Sequence, residues 1–432
     1  MSEKLKVLHF FSSQSRVHFT RALLSPQNTK IDYYIATPFE AFPVSAYTSK
    51  KGTNKVLERK CFKVIAEKLC FSDIINNHLT FNGKVIYYKT LKSLGIAIKH
   101  IKFDSVLVSD LPTFDTIIKI YLICNYLPNI YFVAHGITFY ELRQSSFSKW
   151  NPYITFFSAG KYQVSGLQKP TEFYNETYKR RVLNINGLPQ FDYLMMSNEY
   201  YKNKTNQIKI RDELNIPIDS KFILLIIGID CNIEGIVLLM NVIHKCCPNH
   251  FIVLRNKMCN FELPAIFKPF VRMTLLSRVL YDYLFSDINI VYIGGTSHIE
   301  ALMVNPKTIL YQGDNIVSHN EQLIVTDYKY LLISNSHSEL ESQLSFVNTN
   351  YIDGIEYKKE VKEFIHNLCG DISFVSDNII KQLYTDKTNS FYNKELSEKI
   401  IMRINKVRLT IPLTGKARLK QIERIKTRKK LK

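Results

Sequence analysis

Two trains of short apolar runs mark this sequence and leave few folds open to it. "KVLHFF", "DYYIAT", "SVLVS", "IYFVAH", "ITFFSA" and "RVLNIN" fall in the first half, and "FILLIIGI", "FIVLRN", "INIVYIGG", "TILYQ" and "YLLIS" in the second. Longer stretches of helical periodicity separate them. A strand that is apolar on both faces must be covered on both faces, which is the habit of parallel sheets wound with helices. Between the trains, "MMSNEYYKNKTNQIKIRDELNIPIDSK" is polar and has no strand pattern. The expected class is α/β, with two doubly wound parallel-sheet domains facing a cleft. The boundaries predicted are residues 1–197, a connection over 198–220, a second domain over 221–350, and a helical region with a basic tail over 351–432.

The 432 residues, 46% of them hydrophobic, supply enough apolar surface for two cores. The net charge of +19 is uneven: residues 401–432 hold twelve Lys or Arg against one acid, a net +11, which leaves +8 for the other 400 residues. In the tail, Leu419, Ile422 and Ile425 fall on a narrow apolar stripe among basic residues. That pattern suits a helix lying on anionic lipid; it equally suits a solvated tail. The tail has no aromatic residue to stack on bases, so nucleic acid is not expected as a partner. The eight cysteines show no C-x-x-C pair and no zinc-finger spacing, which points to reduced thiols in a cytosolic compartment. "KLKVLHFF" is too short for a leader's apolar core, and no run reaches the roughly 18 apolar residues of a membrane span.

Four segments carry candidate chemistry. "YFVAHGITFYEL" runs a strand into His135 and Gly136. The glycine permits a sharp turn and a close ligand approach. An imidazole there can take a proton from a hydroxyl, or pack at the strand end against a carbonyl. "LNINGLPQFDYL" places Gly187, Leu-Pro and Asp192 after another strand; Asp192 either caps a helix or faces the cleft. "INIVYIGGTSHIEALMVNPKTILYQGD" reads strand, Gly294-Gly295, Thr296-Ser297, then a helix containing His298 and Glu300. Two glycines and two hydroxyls at a helix N-terminus form an anion site, suited to a phosphate ester, although Thr296 or Ser297 alone would also serve as a simple cap. Glu300, one turn in, would reach a ribose hydroxyl or face solvent. "FFSSQSRVHFTRALL" follows the first strand and brings Arg16 to the first strand–helix turn, where it would meet an acceptor phosphate or carboxylate.

Absences narrow the chemistry. The chain has no Asp-x-Asp, no G-x-x-x-x-G-K-[ST], no G-x-S-x-G, no H-E-x-x-H and no G-x-G-x-x-G in its first strand–helix turn. No metal site and no cofactor is expected.

The order "HGIT", "NGLPQFD", "GGTSHIEALMVNPKTILYQGD" resembles the CDP-glycerol glycerophosphotransferase family, the teichoic-acid and capsule polymerases. The likeness spans roughly residues 130–314. The chain differs from that family in having no His-Pro and in carrying Gln190 where the family has Arg. The resemblance implies a GT-B fold with an acceptor-side first domain and a nucleotide-donor second domain. It also implies an enzyme, an inverting transferase that moves a sugar or polyol-phosphate from a CDP-, CMP- or UDP-linked donor onto an oligosaccharide or polymer acceptor. In it His135 is the base, Gly294 to Ser297 hold the donor phosphate, and His298 helps the leaving group in place of the missing histidine. The expected location is cytoplasmic, peripheral on the membrane through residues 415–432. Three other readings stand beside it: a CMP-sialic acid-dependent sialyltransferase of the same plan, a non-hydrolysing sugar-nucleotide epimerase, and a non-catalytic binding protein using the tail.

Overall fold

The computed structural model describes residues 4–10, 31–38, 62–69, 81–109, 114–133, 153–160, 182–192, 194–195, 204–227, 233–255, 262–273, 286–292, 296–313, 331–349, 355–370, 372, 375–389 and 394–408. They form two sheets with flanking helices. The first holds β1 (Leu5–Phe10), β2 (Ile31–Pro38), β3 (Phe62–Leu69), β4 (Phe81–Tyr88), β5 (Ser105–Val108), β6 (Asn129–Val133), β7 (Ile154–Ser158) and β8 (Val182–Asn184). Their spatial order is β3-β4-β2-β1-β5-β6-β7-β8. The second holds β9 (Lys221–Ile227), β10 (His250–Arg255), β11 (Val271–Met273), β12 (Ile288–Tyr292), β13 (Thr308–Tyr311) and β14 (Leu332–Ser334), in the order β11-β10-β9-β12-β13-β14.

Every neighbouring pair is parallel except β3 and β4. The architecture is thus two doubly wound α/β units, as the apolar runs require, with one antiparallel strand at an edge. Strands β3, β4 and β11 were not anticipated. "FKVIAEKL" carries three charged residues among its eight, unlike the near-continuous apolar runs of the doubly buried strands. The helices are α1 (Leu91–Ile98), α2 (Phe114–Cys124), α3 (Lys204–Glu213), α4 (Ile233–Cys246), α5 (Thr296–Val304), α6 (His337–Thr349), α7 (Ile355–Cys369), α8 (Val375–Asn389) and α9 (Lys394–Arg408). Helix α3 occupies part of the polar connection, and among the described residues no helix is long and apolar enough to cross a membrane.

The period of two in the strands divides the first sheet cleanly. Leu8, Phe10, Tyr34, Ile86, Val106, Ile130 and Phe132 belong to the core that also takes in α1 and α2. Leu5, Val7, Tyr33, Ile35, Tyr87, Leu107, Tyr131 and Phe157 pack instead with Val375, Ile379, Ile380 and Leu383 of α8. Helix α8 therefore comes back from the end of the chain to cover the first sheet. Burying each such apolar side chain contributes about 1.5–3 kcal/mol. Polar contacts fix the helix along the sheet: Asp386 accepts from Tyr131 Oη at 2.6 Å, and Lys387 pairs with Asp104 at 3.2 Å. Helix α7, by contrast, lies against α5 of the second unit.

The corner between α7 and α8 is seated on Gly160, just past β7. A Cβ at Gly160 would stand 1.9 Å from the Leu368 carbonyl oxygen and 2.6 Å from Cys369 Cα, both backbone atoms that cannot swing aside. Gly160→Ala is therefore expected to lower stability by about 3 kcal/mol or more, the upper range for an overpacked core, through loss of the α7–α8 seat. Denaturant unfolding measures it, and a midpoint equal to wild type would show that the corner moves freely.

Candidate functional site

In a doubly wound sheet ligands lie outside the carboxyl ends of the strands, where the strand order reverses. The second sheet runs β9 to β10 to β11 in one direction and β12 to β13 to β14 in the other. Its reversal point lies between β9 and β12, which pair from Ile223 with Ile288 to Ile227 with Tyr292. Helix α5 starts four residues beyond the end of β12, at Thr296. Its N-terminus, the positive end of the helix dipole, where N–H groups have no partner within the helix, thus follows the strand at the reversal point in sequence. Thr296 and Ser297 are half-buried in its first turn, and Glu300 follows one turn in, buried. Gly294 and Gly295 lie outside the described residues, as do Arg16, His135 and Gly136. His135 comes two residues after the end of β6, whose last residues Phe132 and Val133 are buried.

A residue the sequence reading passed over stands at the same edge. Arg255 ends β10, opposite Ile226 of β9, and is 2% exposed. A guanidinium is charged at every working pH and grips phosphate or carboxylate in a two-pronged fashion. The signal was visible in "FIVLRN": a cation closing an otherwise apolar strand.

His298 is among the described residues. It was expected to assist a leaving group, but it is 1% exposed and its ring packs 6.2 Å from that of Phe364 in α7. Burial pushes its pKa down to about 3. Among the described residues its Nδ1 has no hydrogen-bond partner. At neutral pH this is an uncharged interior ring, with one of its two nitrogens protonated. Among the described residues no group of three His, Cys, Asp or Glu side chains is arranged to hold a metal ion.

No protein-family model matches the chain, and no curated protein matches it in sequence. Solved structures do match. UDP-GlcNAc 2-epimerase from Neisseria meningitidis, bound to UDP-GlcNAc, superposes with a TM-score of 0.53 at 14% identity, over 88% of this chain and 100% of that one. The wall teichoic acid polymerase TagF, soaked with CDPG, gives 0.55 at 12% identity over 90% of each chain. A glycosyltransferase from Rickettsia africae gives 0.50 at 11% identity, over 88% of this chain and 98% of that one. The chain has the GT-B fold. At these identities the likeness is one of architecture.

Within this GT-B chain "NGLPQFD" holds the molecule together. Gly187 has φ +122°, donates its N–H to Ala159 O at 2.6 Å, and leaves space that Val375, Phe191 and Ile372 fill. A side chain here would be strained and would crowd all three. Asp192, considered above for the cleft, caps a helix 183 residues away. Its Oδ1 accepts from Val375 N at 3.0 Å and its Oδ2 from Ser376 N at 2.6 Å, so both oxygens satisfy the first turn of α8. Burial raises its pKa, partly opposed by the hydrogen bonds from Ser376 and Val375. Each oxygen is thus engaged once by α8 and keeps a second acceptor site.

The His298 environment yields a pH prediction. The folded pKa near 3 lies below the ordinary 6.5, so the unfolded chain takes up the proton first. The contribution of the neutral ring is complete above about pH 6.5 and falls as pH drops toward 3, by about 1.4 kcal/mol per unit at most. His298→Leu keeps the packing and removes the titration. It is expected to flatten the decline of Tm between pH 6 and pH 4. An unchanged acid limb would place the titrating group elsewhere, His250 being the next whose pKa burial lowers.

Proposed function

We propose that the chain transfers a sugar or polyol-phosphate from a nucleotide-activated donor onto a bacterial surface polysaccharide, by an inverting route without a metal. One observation carries this reading: the N-terminus of α5, preceded in sequence by Gly294-Gly295 and opened by Thr296-Ser297, follows the strand at the reversal point of the second sheet. The similar architecture of a teichoic acid polymerase soaked with CDPG supports it.

In this reading residues 1–197 bind the acceptor and residues 221–350 the donor, joined by 198–220. His135 removes the acceptor hydroxyl proton, a contribution of roughly 10²–10⁴-fold. The backbone N–H groups at the start of α5, with the Thr296 and Ser297 hydroxyls, hold the donor phosphate. They stabilise the negative charge that collects on it as the bond to the transferred group breaks. Fixed dipoles aimed at developing charge lower a barrier by about 3 kcal/mol. Arg255 adds a positive charge at the same edge. Glu300 meets the ribose, Arg16 an anionic group of the acceptor, and Gly136 lets the chain turn beside His135. Residues 415–432 bring the protein to anionic lipid on the cytoplasmic leaflet.

Calorimetry in EDTA with CDP-glycerol, CDP-ribitol, CMP-sialic acid and UDP-sugars identifies the donor. Replacing Thr296 and Ser297 together by Ala is expected to weaken its binding at least about tenfold, the loss of one or two hydrogen bonds to a charged group. His135→Ala is expected to abolish turnover with donor binding retained. An unchanged donor Kd in the double variant would overturn the phosphate site. Interconversion of sugar nucleotides without acceptor would instead make the protein an epimerase.

Deleting residues 415–432 is expected to weaken binding to anionic vesicles and to leave activity on a soluble acceptor intact. Equal partition of the full-length and truncated proteins would refute the tail's role.

A further inference from the structure

From the end of β4 to the start of β5 the chain is strongly basic. Residues 83–103 hold Lys84, Lys89, Lys92, Lys99 and Lys102, with His100, and no Asp or Glu. Helix α1 lies within that stretch and packs on α2 and on β3 and β4 at the edge of the first sheet. The helical period sorts its residues. Leu94 and Ile98 are buried and Leu91 is half-buried. Lys92, Ile96 and Lys99 stand at i, i+4 and i+7, a single stripe on the opposite side, and all three are exposed. Lys99 is the C-cap, with φ −52° and ψ −27°, so helical spacing holds to the end of the stripe. Lys89, His100 and Lys102 are exposed in the flanking residues, and Ile96, at the centre, is 50% exposed.

Folding alone does not account for this pattern. The first turn of α1 holds no acid, and Lys92 sits there at the positive end of the helix dipole, where a cation is disfavoured. Asp104, the first acid after the stretch, is engaged elsewhere: it accepts from Lys6 N at 2.8 Å and pairs with Lys387 at 3.2 Å. Among the described residues Lys92, Lys99 and Lys102 take part in no ion pair. Water solvates the lysines but gains nothing from the isoleucine between them. An anionic lipid surface suits both, since headgroup phosphates meet the ammonium groups and the aliphatic side chain enters the interface. The lysine stems lie along the apolar boundary while their charged ends stay in water. A nucleic acid would supply phosphates but nothing for Ile96. The aromatic residues of the stretch, Tyr87, Tyr88 and Phe103, are buried and offer no face to a base.

We propose that the outer face of α1 is a docking surface for anionic phospholipid, with Ile96 in the headgroup region and Lys92, Lys99 and Lys102 against lipid phosphates. Thr90 and Ser93 close the start of the helix in a capping box, so the stripe is presented on a fixed element. This contact belongs to the first unit. It requires neither the transferase reading nor a role for residues 415–432.

The test measures partition of the full chain onto vesicles of phosphatidylglycerol and phosphatidylcholine, with phosphatidylcholine alone as the reference. Lys92→Gln combined with Lys99→Gln is expected to lower partition about 25-fold at low salt, about fivefold for each lysine at the surface. The effect is expected to shrink at high salt, and Lys92→Arg with Lys99→Arg to retain binding. Lys359→Gln with Lys362→Gln, an equal loss of charge at exposed positions of α7, is expected to change partition little. Ile96→Trp reports the depth of the stripe: its emission, taken as the difference from wild type with its single Trp, is expected to shift to the blue on the anionic vesicles. Equal partition of wild type and the α1 lysine pair, an equal loss in the α7 pair, or no shift from Ile96→Trp would each overturn the proposal. So would binding of an RNA oligonucleotide through the same lysines without binding of vesicles. Failure of the tail reading shows separately, as no effect of deleting residues 415–432 while the α1 lysine pair still lowers partition.

Discussion

The seat of helix α8 on the first sheet is the contact on which the arrangement of the two halves depends. At its N-terminus the two oxygens of Asp192 take the Val375 and Ser376 N–H groups. Toward its C-terminus Asp386 and Lys387 bind Tyr131 and Asp104. Between these points Ile379, Ile380 and Leu383 fill the face of the sheet opposite α1 and α2. The carboxylate of Asp192 loses hydration in this position, which raises its pKa, and the N–H groups it satisfies would otherwise be buried without a partner. Because α7 packs on α5 and α8 on the first sheet, the short corner between them joins the two units a second time, after the connection near α3. The backbone contact at Gly160 leaves that corner little freedom.

Parallel strands have a second consequence. All their carboxyl ends point the same way within a sheet, so each sheet gathers its strand-end residues along one edge. In the second sheet that edge leads to the start of α5 and includes Arg255. In the first it includes His9 and Ser109. His9, Ser109 and Arg255 are buried at these edges, and the apolar walls that bury them lower the local dielectric. Hydrogen bonds and charges there act more strongly than in water.

The GT-B architecture was legible in the sequence because buried parallel strands must be apolar throughout, and such runs resemble little else. The runs beginning at Lys221, His250 and Ile288 each became a strand of the second sheet. Edge strands left a weaker mark: β3 mixes charged with apolar residues and β11 is three residues long, so both escaped notice. The helix start at Thr296 was legible for a similar local reason, since turn chemistry resides in consecutive residues.

What the sequence by itself determined, then, was local: which segments become strands, where helices begin, and how charge is distributed along the chain. Only the tertiary structure decided which polar side chains are available for chemistry. His298 follows directly on a promising turn, yet α7 covers it, and desolvation leaves it neutral. Asp192 belongs to a segment that resembles a family motif, yet a helix 183 residues further on takes both its oxygens. His9 and Ser109 are 100 residues apart in the chain and share a hydrogen bond. The physical reason is common to all three. The proton affinity and reach of a side chain depend on the dielectric and the partners around it, and in a doubly wound fold those come from strands and helices distant in sequence.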